Sequence, residues 1–242
     1  MRLLVLQHVS VEHPGVFRRL LAEDGHEWDA VDLGAGGALP GLDGYDGLWV
    51  MGGPMDVWQE AAHPWLKAEK EFIRGAVADR GMPYLGLCLG HQLLAEALGG
   101  TVGRSATPEI GICEVGLTED GAAGVFLDAL PERFECLQWH SAEVARMPPG
   151  AECLAASPDC AVQAMKWGPR AYSLQFHLEV EADTVQNWAG IPEYASALEA
   201  ALGLGAAARL AADCERRMDR FNALAERIYM NWLQCAARTT VR

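Results

Sequence analysis

Cys88, His177 and Glu179 are the residues whose types and spacing could do chemistry: a sulfur nucleophile, a base to serve it and a carboxylate to orient that base. Cys88 lies in Gly86-Leu-Cys-Leu-Gly90, the G-x-C-x-G spacing of a nucleophile elbow with cysteine in place of serine. Residues 84–87 form a short apolar run suited to a buried strand, and Leu93, Leu94, Ala97 and Leu98 then recur at helical spacing until Gly99-Gly100. The flanking glycines allow a sharp strand-to-helix turn with the sulfur at its apex. There the free N–H groups and dipole of the helix start favour a thiolate. A cysteine without those glycines would read as a packing residue, since free cysteine is among the most buried types.

His177 and Glu179 stand two apart in Ser173-Leu-Gln-Phe-His-Leu-Glu-Val180. If the strand predicted over 171–176 continues through His177, both side chains leave the same face and can hydrogen-bond each other. The carboxylate would fix the tautomer of the imidazole and leave its second nitrogen to trade protons with the sulfur. A surface strand carrying an ordinary His and Glu would show the same pair. Val50-Met-Gly-Gly-Pro-Met55 closes another apolar strand. Its glycines free backbone N–H groups to approach a substrate oxygen, so Gly53 could supply half of an oxyanion hole and the N–H of Leu89 the other half. Gly-Gly-Pro alone is a common loop sequence.

The elements that must position these groups alternate strand and helix at first. Apolar runs at 3–6, 28–33, 47–51 and 84–87 are interleaved with helical patterns at 17–21, 66–77 and 89–98. Continuous apolar strands of this kind predict an open, mostly parallel sheet with helices on both faces. From about 110 to 175 the pattern becomes short strands separated by turns (112–117, 134–139, 152–156, 161–165, 171–176), which predicts antiparallel hairpins added to the sheet. Beyond 181 the chain is helical, ending in a long run over about 205–237 whose Leu210, Cys214, Phe221, Leu224, Ile228 and Trp232 make an amphipathic stripe. Such a stripe docks on its own domain, or else on a partner or a second copy as a homodimer.

The chain has 242 residues, half of them hydrophobic, enough for one large α/β domain with a small extension. A net charge of −14 argues against nucleic acid or an anionic membrane as partner. No signal-peptide pattern or spanning segment is present in the sequence, which makes the cytoplasm the expected location. Seven cysteines form no C-x-x-C pair and no zinc spacing, and read as reduced thiols.

Gly86-Leu-Cys-Leu-Gly-His-Gln92, Gly52-Gly-Pro54 and Gln175-Phe-His-Leu-Glu-Val180, in this order and spacing, resemble the class I (triad) glutamine amidotransferase family. The likeness runs over roughly residues 3–185, in the branch similar to the glutaminase domain of GMP synthase. It implies a flavodoxin-like α/β amidotransferase domain over 1–185, which leaves 186–242 as a C-terminal helical extension expected to pack on it. It also implies that Cys88 attacks the side-chain amide of glutamine, with His177 as base and acid and Glu179 as its orienter. Gly53 and Leu89 would then form the oxyanion hole. Gly52, Gln92, His140 and Ser141 would hold the substrate, the last two from Gln138-Trp-His-Ser-Ala-Glu-Val144, while His140 could equally be a core or hinge histidine. Glu109-Ile-Gly111 resembles a further local pattern of the branch. No metal or organic cofactor is implied. Leu178 stands where the family has proline, which leaves the H-x-E spacing intact.

Neither a Ser-Gly-Gly-x-Asp-Ser pyrophosphatase motif nor a G-x-x-x-x-G-K-[ST] phosphate loop occurs, so any acceptor of ammonia would be activated by a separate synthase subunit. Two other readings compete. One is a stand-alone γ-glutamyl hydrolase or peptidase using the same triad on another γ-glutamyl compound. The other is a non-catalytic binding or regulatory module that keeps the fold.

Overall fold

The computed structural model describes residues 1–237. A nine-stranded mixed sheet forms its centre, with strands numbered in chain order: β1 (Arg2–Gln7), β2 (Glu27–Asp32), β3 (Gly47–Val50), β4 (Tyr84–Leu87), β5 (Thr101–Leu117), β6 (Arg133–Arg146), β7 (Ala151–Ala156), β8 (Ala164–Trp167) and β9 (Ala171–Leu174). Their spatial order is β2-β1-β3-β4-β9-β8-β7-β5-β6. The half from β2 to β9 is parallel and the half from β8 to β6 is an antiparallel wing.

The parallel half follows from the apolar runs. In β1, Leu3 and Val5 face one core layer and Leu4 and Leu6 the other, as the two-residue period of a strand requires. Helices α2 (Trp65–Arg74) and α3 (Leu89–Ala97) cover the second layer. A wider turn over Gly75–Asp79 prolongs α2, with the Arg80 N–H reaching back to the Gly75 carbonyl at 3.1 Å. Helix α1 (Phe17–Glu23) lies in the first layer. The short α4 (Glu119–Ala123) joins β5 to β6, capped by the Thr118 hydroxyl, which accepts from the Gly121 N–H.

Four further helices follow the sheet: α5 (Thr184–Ala189), α6 (Pro192–Leu202), α7 (Ala206–Glu215) and α8 (Met218–Ala236). The long helix expected over 205–237 is therefore two helices, parted at Arg216-Arg217; residues 238–242, where the chain ends, lie outside the described residues. Leu210, Cys214, Phe221, Leu224, Ile228 and Trp232 are all buried in the first core layer. Trp232 meets Trp49 of β3 edge-on at 5.2 Å and donates its indole N–H to the Tyr84 carbonyl at 3.0 Å. Each such large apolar side chain contributes about 1.5–3 kcal/mol on full burial. Among the described residues no single helix is long and apolar enough to cross a membrane.

Two departures from the sequence reading matter for the site. The segment expected as one more antiparallel strand, β9, pairs antiparallel with β8 but parallel with β4, inserting itself beside the strand that carries Cys88. It also stops at Leu174, so His177 is not in β9. His177 is held instead by an isolated antiparallel bridge to Leu137 of β6, with N–H to carbonyl distances of 2.9 and 3.1 Å in the two directions.

His91, on the first turn of α3, ties that helix to β9 through a 2.8 Å contact between its Nδ1 and the Ser173 hydroxyl. Burial, and then the neighbouring His140, push its pKa down to about 3. The unfolded chain takes up a proton at this residue below about pH 6.5 whereas the folded protein stays neutral, so stability is full above that pH and is lost as pH falls toward 3. Between pH 6.5 and about pH 4 this one group is expected to cost about 3 kcal/mol, at about 1.4 kcal/mol per pH unit. Urea unfolding across that interval should show a shallower decline for His91→Asn than for the wild type. Parallel declines would assign the acid sensitivity to other groups.

Candidate active site

Cys88 follows β4 and caps α3 with φ 51° and ψ −103°, a positive φ that a non-glycine residue adopts only under constraint. The strained residue of the elbow is thus the nucleophile candidate itself, and the two glycines serve a different need. A Cβ at Gly90 would lie 2.0 Å from the Val50 carbonyl oxygen, and one at Gly86 would lie 2.6 Å from the Gly90 carbonyl oxygen. They are glycine because the helix start, β3 and β4 approach too closely for any side chain. The Cys88 N–H donates to the Leu174 carbonyl at 2.8 Å, tying the elbow to the end of β9.

Because β3, β4 and β9 are adjacent and parallel, the loops at their carboxyl ends meet, and these carry Gly52-Gly53, Cys88 and His177 with Glu179. The Nδ1–H of His177 donates to Glu179 Oε1 at 2.5 Å. Its other nitrogen is thereby left free to serve the neighbouring Cys88 side chain. Burial pushes the His177 pKa down, but the charge of Glu179, the hydrogen bond to it and the neighbouring Cys88 side chain outweigh it and hold the imidazole well above its usual value. Glu179 Oε2 accepts the Leu178 N–H at 3.0 Å. A proline at that position has no N–H to give, so Leu178 adds a second restraint on the carboxylate.

The backbone of Glu179 is pinned as well. Its carbonyl accepts the Val16 N–H at 2.9 Å, and a Cβ at Gly15, which has φ 53°, would fall 1.8 Å from that oxygen. Trp188 of α5 lies edge-on against the His177 ring at 4.6 Å. The Gln175 amide points at Cys88 Sγ from 3.6 Å.

Cys88 opens onto a cavity of about 120 Å³, small beside the 300–1,000 Å³ or so of pockets for larger ligands. Gly53, Leu89, Gln92, His140 and Ser141, all named from sequence, line it together with Cys88. Gly52 is not in the lining; its carbonyl is turned to His8 Nδ1 at 2.7 Å. The Gln92 amide N–H groups are used internally, on the Ala142 carbonyl at 3.2 Å and Gln175 Oε1 at 3.0 Å.

The sequence reading missed part of the wall. Glu193, Tyr194 and Ala197 of α6 line the same cavity. Trp139, Trp188 and Tyr194 pack as an aromatic cluster that holds α5 and α6 against β6. The Tyr194 hydroxyl donates to Glu12 Oε1 at 2.5 Å, and Glu12 is buried in the loop after β1. Burial raises the Glu12 pKa, and the nearby His177 works against that rise. One signal for the loop was available: His8 and Glu12 are polar residues directly after a buried strand, at the sheet edge where α/β folds place their sites. Nothing local marked α6.

Glu109, His140 and Cys160 bring one ligand-type atom each within 4.8 Å of one another. His140 Nδ1 faces the Ala142 carbonyl at 3.0 Å and its Nε2 lies 3.2 Å from Glu109 Oε2, without the alignment of a hydrogen bond. The Cys160 thiol, pushed up to about 12 by burial, stays protonated unless a metal displaces its proton. Gln163 occupies Glu109 Oε2 with a 2.6 Å bond, so this carboxylate is already committed to a polar network beside the site.

The family model for glutamine amidotransferase class-I matches residues 29–187. The chain is 37% identical over 147 residues to the glutamine-hydrolysing GMP synthase of Aeropyrum pernix, which covers 59% of this chain and 27% of that protein. It thus spans little more than a quarter of that relative's length. It is 32% identical over 191 residues to the glutamine amidotransferase-like protein YfeJ of Salmonella typhimurium, covering 77% of this chain and 79% of that one. Among solved structures, a glutamine amidotransferase from Thermotoga maritima superposes with a TM-score of 0.85 at 29% identity, over 98% of this chain and 99% of that chain.

Proposed function

The chain belongs to the class-I glutamine amidotransferase family, and from that premise we propose that it hydrolyses the side-chain amide of glutamine through Cys88, His177 and Glu179. The observation that carries this reading is the 2.5 Å His177–Glu179 bond behind a strained Cys88 that opens on a small cavity. Cys88 sulfur adds to the γ-carbonyl carbon, and the oxyanion is received by the N–H groups of Gly53 and Leu89. The C–N bond breaks as His177 gives its proton to the departing nitrogen, which leaves as ammonia and a thioester. Water then adds to the thioester with His177 taking its proton, glutamate leaves, and the sulfur is restored. In this reading Gln92, His140 and Ser141, which line the cavity, receive the amino-acid end of the substrate, with Gly52 contributing through the turn it forms. No metal or organic cofactor enters these steps.

A specific observation supports a second reading. The wall formed by Glu193, Tyr194 and Ala197 lies beyond the 29–187 segment that the family model matches, where it would contact a leaving group larger than ammonia. A γ-glutamyl hydrolase would use it so. In the first reading the ammonia passes to a synthase subunit that activates the acceptor. Assaying the purified chain for ammonia from glutamine beside amine from γ-glutamyl peptides separates them. Faster release from glutamine is the expected result; full turnover of the peptides with feeble glutamine cleavage would transfer the assignment to the hydrolase, and inertness toward both would leave a binding module.

A further inference from the structure

His8 and Glu69 form a buried pair that the steps above do not use. His8 sits in the loop after β1 and Glu69 on α2; both side chains are fully buried, with His8 Nε2 3.0 Å from Glu69 Oε1. The His8 ring stacks on Trp65 at 5.4 Å and 17°. Its other nitrogen, Nδ1, lies 2.7 Å from the Gly52 carbonyl oxygen. A carbonyl can only accept, so Nδ1 carries the hydrogen. Glu69 Oε2 has no hydrogen-bond partner among the described residues, which leaves His8 as the group that compensates this carboxylate.

The consequence lies on the other side of the peptide. The Gly52–Gly53 bond is trans, so the Gly53 N–H points opposite to the Gly52 carbonyl and therefore away from His8. Gly53 lines the cavity beside Cys88 and Leu89. Among the described residues no backbone acceptor takes its N–H. A Cβ at Gly53 would lie 2.9 Å from both His8 Cβ and Leu89 Cδ2, so this residue packs closely against both the anchor and the residue that carries the second donor of the hole. With glycine on both sides, this peptide could rotate by half a turn at little backbone cost. Rotation would aim the Gly52 carbonyl at the developing oxyanion in place of an N–H.

We propose that His8, held by Glu69, pins the Gly52–Gly53 peptide with its N–H toward the cavity, so that the oxyanion hole is complete in the isolated chain and hydrolysis needs no partner subunit to assemble it. This rests on the reading of Gly53 as an oxyanion donor. His8 is a positioning residue, since it acts on the peptide and not on the substrate.

The test compares the wild type with two double variants, each assayed for glutamine turnover and thermal unfolding. His8→Phe with Glu69→Leu keeps the stacked ring, removes the donor and strands no charge. His8→Asn with Glu69→Leu restores an N–H donor near the position of Nδ1. Expected are partner-free turnover by the wild type, a fall of about 10²-fold in kcat with KM nearly unchanged in the Phe variant, and recovery of most of that loss in the Asn variant. A folded Phe variant with undiminished kcat, or equal losses in both variants, would overturn the proposal.

Should the Phe variant fail to fold, the wild type decides. Selective alkylation of Cys88 by a diazo-ketone analogue of glutamine without partner-free turnover would sink the pinned hole while sparing the nucleophile. Absence of both labelling and turnover would instead remove the hydrolytic reading, and this inference with it.

Discussion

Replacement of Cys88 by alanine is expected to lower glutamine hydrolysis by about 10⁵–10⁶ in kcat while leaving the fold intact, the scale on which losing a triad nucleophile closes the covalent route. Alanine keeps the Cβ that the elbow already accommodates at φ 51°, so no new backbone strain is added. Serine should fail nearly as fully, because a hydroxyl at this position lacks the nucleophilicity of a thiolate. Ammonia release measured beside thermal unfolding checks both. Near wild-type turnover in the alanine variant would place the chemistry elsewhere.

The proposed nucleophile should declare itself by labelling. Burial pushes the Cys113 thiol up to about 11 and those of Cys160 and Cys214 up to about 12, and it raises Cys136 and Cys153 as well. These remain protonated and slow at neutral pH. A glutamine-like electrophile should therefore modify Cys88 first, as read by peptide mass mapping.

The second large effect separates His177 from Glu179. His177→Ala removes the group proposed to move the proton and is expected to cost about 10⁴–10⁶ in kcat; Glu179→Gln, which would remove only its orienter, should cost about 10²–10⁴. The geometry explains why the amide is a poor substitute. Glu179 accepts on both oxygens, from His177 Nδ1–H and from the Leu178 N–H. A glutamine has one oxygen. If that oxygen serves Leu178, its NH₂ faces Nδ1 and imposes the wrong tautomer; if it serves His177, the NH₂ opposes the Leu178 N–H.

Loss of the Glu179 charge also removes the main influence that raises the His177 pKa against burial, so the pH–rate profile of Glu179→Gln should move to lower pH. Equal losses from both variants with unmoved profiles would mean that Glu179 does not act through His177.

Within the sequence alone, the candidates for the reactive residues were legible because each motif is local. Gly86, Cys88 and Gly90 occupy five consecutive positions, and an apolar strand followed by a helical period dictates a turn at the cysteine whatever the rest of the chain does. The H-x-E spacing likewise put two partners in reach, although β9 ends at Leu174 and a bridge to Leu137, not strand alternation, holds His177 in place. The glycines could be named but not explained: Gly90 needs its space because Val50, forty residues away on another strand, packs against it, and Gly86 because the Gly90 carbonyl does.

Tertiary structure alone decided that the loops after β3, β4 and β9 meet. That order depends on which strand edges bury one another, a long-range free energy that local spacing does not encode. For the same reason the α6 wall was invisible beforehand, and the position of His8 and Glu12 after a buried strand did not reveal that one sits beneath the Gly52–Gly53 turn and the other under Tyr194. Each is an ordinary polar or aromatic residue until packing sets it against the cavity.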